Sequence, residues 1–593
     1  MSHRPPPPSQ TRALRTGALA FALTTALTAT VLLVEAAAQD GLDAWDIARA
    51  VLILVTTAWL AWGAALALVG LPGRRQPPGT VELLAPVPKT VVLIPIYNED
   101  PTATFARVAA MHRSSIAAGL TLDIAVLSDT QDMDAAEQER IAFARLTAQT
   151  AGGGRLFYRR RTDNQGRKAG NIEDFIRKSG GAYEFAVILD ADSLMEGDTL
   201  RILIARMQAD PSLGLLQTLP QIIGAHSFFG RSMQFSSGFY SPVFTRGLAR
   251  LQGATGPFWG HNAIVRVRAF AASCAMPELS GAPPFGGHIL SHDYVEAALL
   301  ARAGWTVQVD ETIGGSYEGG PENIISYAKR DRRWCQGNLQ HIRLLFAPGL
   351  KGWSRFVFLQ GIFAYLVSVL WAAFLIASVL ATMMAHEPDY FPQPHQLFPV
   401  FPSDRTKQIT ALAVGIGGLL IVPKLSVLIG AIFSDRVAGF GGALKATKSV
   451  VSEILLSSLL APLMLMYQTR AVAQVFARRD GGWPASSRAE GAIVLASALR
   501  DGAWIAMTGA ISLIAVALLA PKLSLWLLPV CLPMLCAPFL IAWTSRPLTH
   551  TLFTVPQECR PPAIVAAYEA QLADWSADQD PSRESDSHLN VTA

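Results

Sequence analysis

Phe185-Ala186-Val187-Ile188-Leu189-Asp190-Ala191-Asp192 decides how this chain is read: an apolar, partly β-branched run that ends on two carboxylates separated by one alanine. A short run of this kind, bounded by polar residues, reads as a buried strand. In an open α/β sheet, ligands gather beyond the carboxyl ends of the strands. Two carboxylates at i and i+2 directly after a buried strand do not comfortably stay charged and unpartnered. A divalent cation, Mg²⁺ or Mn²⁺, shared with a diphosphate relieves them, because such an ion takes one or two carboxylates and completes its shell with phosphate oxygens and water. Asp190 and Asp192 are the expected metal ligands.

Upstream, TVVLIPI (90–96) and DIAVLSD (123–129) have the same character, and helical stretches at 135–149 and 171–179 lie between. Strands alternating with helices predict a parallel-type sheet. The first strand runs into Tyr97 and Glu99. The ring can stack on a base and the acid can accept from a base or ribose, although a capped turn would read alike. Asp129 ends the second strand, again as ligand or helix cap. Between them and the paired carboxylates lies Asn164-Gln165-Gly166-Arg167-Lys168-Ala169-Gly170-Asn171, whose glycines allow close backbone approach and whose Lys168 suits phosphate.

Downstream, Ser291-His292-Asp293 opens a helical segment. Direct displacement by a hydroxyl needs a base; Asp293 is the candidate and His292 the alternative. In Lys329-Arg330-Asp331-Arg332-Arg333-Trp334, arginines beside a flat indole fit a diphosphate clamp with a sugar-stacking platform. A basic patch on lipid headgroups is the competing interpretation.

The surroundings of this α/β region are apolar. Over 593 residues the chain is 51% hydrophobic and only 16% charged, with a mean hydropathy of +0.31, against about 25% charged in soluble chains. A spread net charge of +4 implies no nucleic-acid partner. Five cysteines without CxxC spacing point to reduced thiols rather than disulfides or zinc.

Apolar runs at 16–38 and 47–70 read as two spanning helices, the first too long for a cleaved signal peptide. Arg4, Arg12 and Arg15 precede them, Asp40, Asp43 and Asp46 separate them, and Arg74, Arg75 and Lys89 follow. By the positive-inside rule the α/β region is cytosolic. Further spans are expected at 356–385, 408–433, 502–519 and 523–543. The stretch 450–476 is interrupted by Glu453, Pro462, Gln468 and Arg470, and basic loops flank it on both sides, so it is expected to be re-entrant or interfacial. The loop at 478–488, with Gly481-Gly482-Trp483-Pro484, reads either as a segment that closes over a bound donor or as a simple linker. The resulting division is 1–75 with two transmembrane helices and 76–350 as the catalytic domain. It continues with 351–545 as membrane helices (436–490 interfacial or re-entrant) and 546–593 as a cytosolic tail with a disordered end.

Asp129, Asp190/Asp192, Asp293 and Arg333-Trp334, in that order, resemble the D, DxD, D, QxxRW signature of inverting family-2 glycosyltransferases, the group of cellulose, chitin and hyaluronan synthases. Arg330 stands where that signature has Gln, and Ser-His-Asp where cellulose synthases often have Thr-Glu-Asp. PIYNED (95–100), YRRR (158–161), NQGRKAGNIEDF (164–175), LDADSLM (189–195), GHNAI (260–264), LSHDYVEAALL (290–300) and YAKRDRRWCQGNLQH (327–341) resemble the glucans biosynthesis glucosyltransferase H family.

The resemblance implies a GT-A-like α/β catalytic domain inserted in a multi-pass α-helical transmembrane domain of the bacterial inner membrane, catalytic side cytosolic. It further implies UDP-glucose as donor and a growing β-1,2-linked glucan as acceptor and product, passed to the periplasm for osmoregulated periplasmic glucan synthesis. Tyr97, Glu99, Asp129 and Lys168 would hold UDP, with Asp190, Asp192 and a divalent cation at the diphosphate. Asp293 would be the base, Arg330 and Arg333 would bind diphosphate, and Trp334, His261, Asn262 and His292 would meet the acceptor. Acyl carrier protein, periplasmic glucan-processing proteins and membrane lipid are the implied partners. The rival readings are a synthase of another β-glycan, cellulose-like, or transfer of one sugar to a polyprenyl phosphate, which generally lacks the Arg-Arg-Trp element.

Overall fold

The computed structural model describes residues 8–38, 42–73, 82–150, 152–384, 395–398, 406–481, 491–548 and 551–577. Two helices, α1 (Pro8–Ala37) and α2 (Ala44–Gly70), pack together ahead of a seven-stranded sheet. Its first strand, β1 (Thr90–Ile96), is buried at all seven residues, as a strand covered on both faces must be. Val92, Ile94 and Ile96 enter one apolar layer, Val91 and Leu93 the other, which is the period of two of a strand. Strands and helices then alternate through α3 (Pro101–Ala117), β2 (Asp123–Ser128), α4 (Met133–Gln149), β3 (Leu156–Arg160), α5 (Arg167–Ser179) and β4 (Phe185–Ile188). β5 (Leu194–Met195), α6 (Gly197–Ala209), β6 (Leu213–Thr218) and β7 (Gln221–Ile223) follow. Helices α7 (Phe228–Phe239) and α8 (Ser241–Gln252) precede β8 (Ala263–Arg266) and α9 (Val267–Ser273). The domain ends with α10 (His292–Arg302), β9 (Thr306–Asp310), β10 (Ser316–Gly319) and α11 (Ile324–Gln340).

The strand order is β3-β2-β1-β4-β8-β6-β9. The sheet is mixed rather than parallel throughout, because β8 runs antiparallel to both β4 and β6. This inversion has a consequence for the site: the amino end of β8, where Gly260 and His261 lie, joins the carboxyl ends of β1, β2 and β4 at one edge. A small second sheet, β5-β10-β7, sets Gly319 beside Asp192.

After the sheet come α12 (Gly352–Met384), α13 (Thr406–Phe433), α14 (Ala443–Phe476) and α15 (Leu495–Leu519). Together with α1 and α2 they make, among the described residues, six helices long and apolar enough to cross a membrane. The segment expected as one straight span at 523–543 is instead two pieces, Pro521–Leu535 and Ala537–Thr544, bent by 58°. They contain helices α16 (Ser524–Leu535) and α17 (Ala537–Thr544), and Pro529 and Pro533 lie inside the first, where each removes a backbone donor. Counted as one span, the pair would bring the total to seven.

Rather than breaking at its polar residues, α14 is one continuous helix of 34 residues. Helices α7 and α11 of the sheet domain touch it from its middle to its carboxyl end. Leu456, Leu460 and Leu463 pack with Phe229 of α7 and with Ile324 and Ile325 of α11. Gln468 donates to Asp331 at 3.1 Å, and Gln474 accepts from Arg332 at 3.0 Å.

The segment expected to be a tail folds as far as Ala577. It forms α18 (Pro556–Cys559) and α19 (Ala563–Ala577), and Ile564 and Trp575 of α19 are buried in the same layer as α3 and α4. Arg4, Asp40, Arg74, Arg75, the loop residues 482–490 with Trp483 and Arg488, and the chain after 577 lie outside the described residues.

Candidate active site

Beyond the carboxyl ends of β1, β2 and β4 opens a cavity of about 540 Å³. Tyr97, Glu99, Asp129, Lys168, Asp190, His261, His292, Asp293, Arg330, Arg333 and Trp334 all line it. The four strand- and helix-borne acids and the Arg-Trp helix, remote in sequence, therefore share one space. Asp192 and Asn262 do not line it.

The strand-end acids are not spent on capping. Asp100, not Glu99, caps α3 by accepting from Thr102 N at 2.9 Å, and Asp132, not Asp129, caps α4 by accepting from Ala135 N at 2.8 Å. Glu99 accepts from Tyr97 N–H and so tightens the turn that presents the ring. Asp129 is 4% exposed and is gripped by the Arg161 guanidinium, with Nη2 at 2.9 Å, and by Asn171 Nδ2 at 2.9 Å. Burial pushes its carboxyl above the ordinary range although Arg161 and Asn171 pull the other way.

Lys168 donates to Asp190 and to the Gly260 carbonyl at 2.8 Å. It reaches there because α5 starts on a close contact. A Cβ at Gly170 would stand 2.2 Å from the Gln165 carbonyl oxygen, so only glycine lets that turn close.

Asp190 lies two residues beyond the end of β4, and its N–H and carbonyl are both tied to Ser193, closing the turn. Asp192 Oδ2 accepts from Gly319 N at 3.3 Å. Asn262, expected at the acceptor, is fully buried instead. Its Oδ1 accepts from Ser193 at 2.6 Å and its Nδ2 donates to Ser316 Oγ at 2.8 Å, so it staples the Asp190–Ser193 turn to β10.

Asp293 sits in the first turn of α10, where backbone N–H groups favour a negative charge. Burial nonetheless raises its carboxyl above the ordinary range; His292 opposes the shift and Glu296 adds to it. His292 Nδ1 lies 3.1 Å from Glu296 Oε2. Burial disfavours charge on this imidazole, yet Glu296 and Asp293 together raise its pKa.

Helix α11 divides its faces. Arg330, Arg333 and Trp334, at i, i+3 and i+4, line the cavity, and the Arg330 guanidinium lies 4.4 Å from the Trp334 ring centroid. Asp331 faces the long helices, where Tyr365 of α12 and Gln468 of α14 donate to it. Arg332 and Gln336 hold the chain at 479–481: Arg332 donates to the Arg479 carbonyl at 2.7 Å and Gln336 to Asp480 at 2.8 Å.

Several participants carried no legible signal. Glu318 lies 3.5 Å from His261, near Asp192 and Asp190; burial raises its carboxyl, His261 opposes the shift and Asp192 adds to it. In sequence it is one glutamate in a short glycine-flanked run. Arg161 stood within a run of three arginines with nothing to single it out. The oxygen-only donor set of Asp190, which lines the cavity, and Asp192, two residues on in the same turn, fits a hard divalent cation completed by phosphate and water. A preassembled cage is not needed for that, and the described residues contain no cluster of three or more acidic, His or Cys ligands.

Two family profiles and several curated proteins match this chain. The glycosyl transferase family 2 profile matches residues 91–273, and the glycosyl transferase family group 2 profile matches residues 185–402. Glucans biosynthesis glucosyltransferase H of Cereibacter sphaeroides is 56% identical over 569 residues, which cover 95% of this chain and 96% of that protein. The protein of that name from Bradyrhizobium diazoefficiens is 41% identical, covering 87% and 70% of the two chains. The one from Vibrio cholerae is 38% identical, covering 91% and 76%.

Proposed function

This chain belongs to the glucans biosynthesis glucosyltransferase H family, and from that premise we propose that it polymerises glucose from UDP-glucose into a β-1,2-linked glucan and passes the product through its membrane helices to the periplasm. The reading rests on one observation above the rest: Asp129, Asp190, Asp293, Arg333 and Trp334 line a single cavity.

Tyr97, Glu99 and Asp129 hold the uridine end, and Lys168, Arg330 and Arg333 meet the diphosphate. Asp190 and Asp192 would hold a divalent cation, which when bound neutralises charge on the leaving diphosphate. Asp293 takes the proton of the acceptor hydroxyl as that oxygen attacks the anomeric carbon. In the same step the bond to UDP breaks, so configuration inverts from α to β. Trp334 stacks the acceptor sugar and His261 lies beside it. Positioning and fixed charge supply most of the rate.

In the bilayer, the catalytic domain faces the cytosol of the inner membrane, and α14 lies along the cytosolic surface instead of crossing. Its contacts with α7 and α11 from Leu456 to Gln474 support this placement. The acyl carrier protein and periplasmic glucan-processing proteins expected as partners belong to this reading without a docking surface assigned to them. Inverted membrane vesicles supplied with radiolabelled UDP-glucose and Mg²⁺ should trap a polymer that linkage analysis reads as β-1,2. A polymer of another linkage would overturn the product assignment. Label appearing only in lipid would favour single-sugar transfer.

A further inference from the structure

The Asp190–Ala191–Asp192 turn is held from two sides. On one, Asn262 fastens it through Ser193. On the other, Arg107 of α3 donates from Nη1 to the Ala191 carbonyl at 3.3 Å. The Arg107 guanidinium is itself covered by α19, lying 4.7 Å from the centroid of the Tyr568 ring. Helix α19 is clamped in place by Trp575, which is 1% exposed, donates from Nε1 to Gln149 at 2.9 Å and lies under Arg145. Gln571 accepts from Arg113 at 2.6 Å. The chain that leaves the membrane helices thus returns to stack on a side chain that grips the middle residue of the paired-carboxylate turn.

We propose that α19 braces this turn through Arg107, which makes Arg107 and Tyr568 positioning residues for metal-dependent binding of the nucleoside diphosphate. An arginine stacked on a ring keeps its planar fork aimed, and a charged donor on a turn carbonyl restricts the turn more than a neutral one. With the fork released, the two carboxylates sample more geometries and present a cation to diphosphate less often. The inference rests on the donor reading of Asp190 and Asp192.

The test uses the full-length protein in detergent, titrated with UDP in the presence and absence of Mn²⁺. Hydrogen exchange of residues 189–195 is followed in parallel without either ligand. Arg107→Ala and Tyr568→Ala should each weaken Mn²⁺-dependent UDP binding about tenfold and speed exchange of the turn. Arg113→Ala removes a contact on the same helix pair but none to the turn, and should leave both within about twofold. Unchanged binding and exchange in Arg107→Ala would overturn the brace. So would an equal loss in Arg113→Ala, which would mean general loosening. If UDP binding by the unmodified protein ignores Mn²⁺, the donor reading of the carboxylates fails, whereas the exchange measurement still decides whether Arg107 holds the turn.

Discussion

Asp293 and His292 are neighbours with opposite electrostatic needs, and this pair allows the roles to be separated. Removing the base by Asp293→Asn should lower turnover about 10²–10⁴-fold with little change in donor KM, measured on purified protein with UDP-glucose. Burial raises the Asp293 carboxyl, and the neighbouring imidazole opposes that shift. A base works only unprotonated, so activity is lost as pH falls through the raised value, and the acidic limb should lie above the pKa of about 4 of a free aspartate. His292→Gln removes a charge that opposes the shift and should move that limb to higher pH while leaving most of the turnover. A collapse as deep as that of Asp293→Asn would instead make His292 the base. The sequence already offered both residues as candidates. Glu296, one helical turn on from His292, could not be chosen from the string LSHDYVEAALL, because only the helix brings it to 3.1 Å from the imidazole.

Helix α11 is the element on which the site closes, and its approach depends on one glycine. A Cβ at Gly337 would stand 2.4 Å from Ser291 Oγ and 2.7 Å from Ser291 N. Gly337→Ala should therefore force α11 away from the start of α10, at a cost of about 1–3 kcal/mol, seen as a lower Tm. Donor KM should rise as well, since Arg330 and Arg333 retreat from the cavity with the helix. An unchanged Tm together with an unchanged KM would show that α11 accommodates the methyl group. The cluster of arginines beside an indole was readable in the sequence, and the family resemblance singled out Arg330, Arg333 and Trp334 within it. The other two faces of α11, which grip α12 and α14 at Asp331 and the 479–481 chain at Arg332 and Gln336, were not. A polar residue looks the same in sequence whether it meets water or a partner.

At the scale of the whole molecule, the docking of α19 on α3 constrains how the chain threads the bilayer. Both lie on the same side, so an even number of crossings must separate α11 from α19. Among the described residues five candidates stand between them: α12, α13, α14, α15 and the bent pair. Taking α14 as interfacial leaves four. In a cysteine-free background, single cysteines at positions 434 and 479, which flank α14, should both react with an impermeant maleimide in inverted vesicles and neither in sealed right-side-out ones. Opposite sidedness would make α14 a crossing. What the sequence determined alone was local in origin: apolar runs of spanning length, strands ending in acids, and the ordered motifs that carry the family. Each depends on residues close in the chain, where period and composition suffice. Tertiary structure alone decided that β8 is inverted, that Asn262 is buried between Ser193 and Ser316, that Glu318 lies near Asp190 and Asp192, and that the expected tail returns to pack on α3 over Arg107. Those outcomes depend on pairings between segments far apart in sequence, and a side chain's role there is set by whichever partner the fold brings to it.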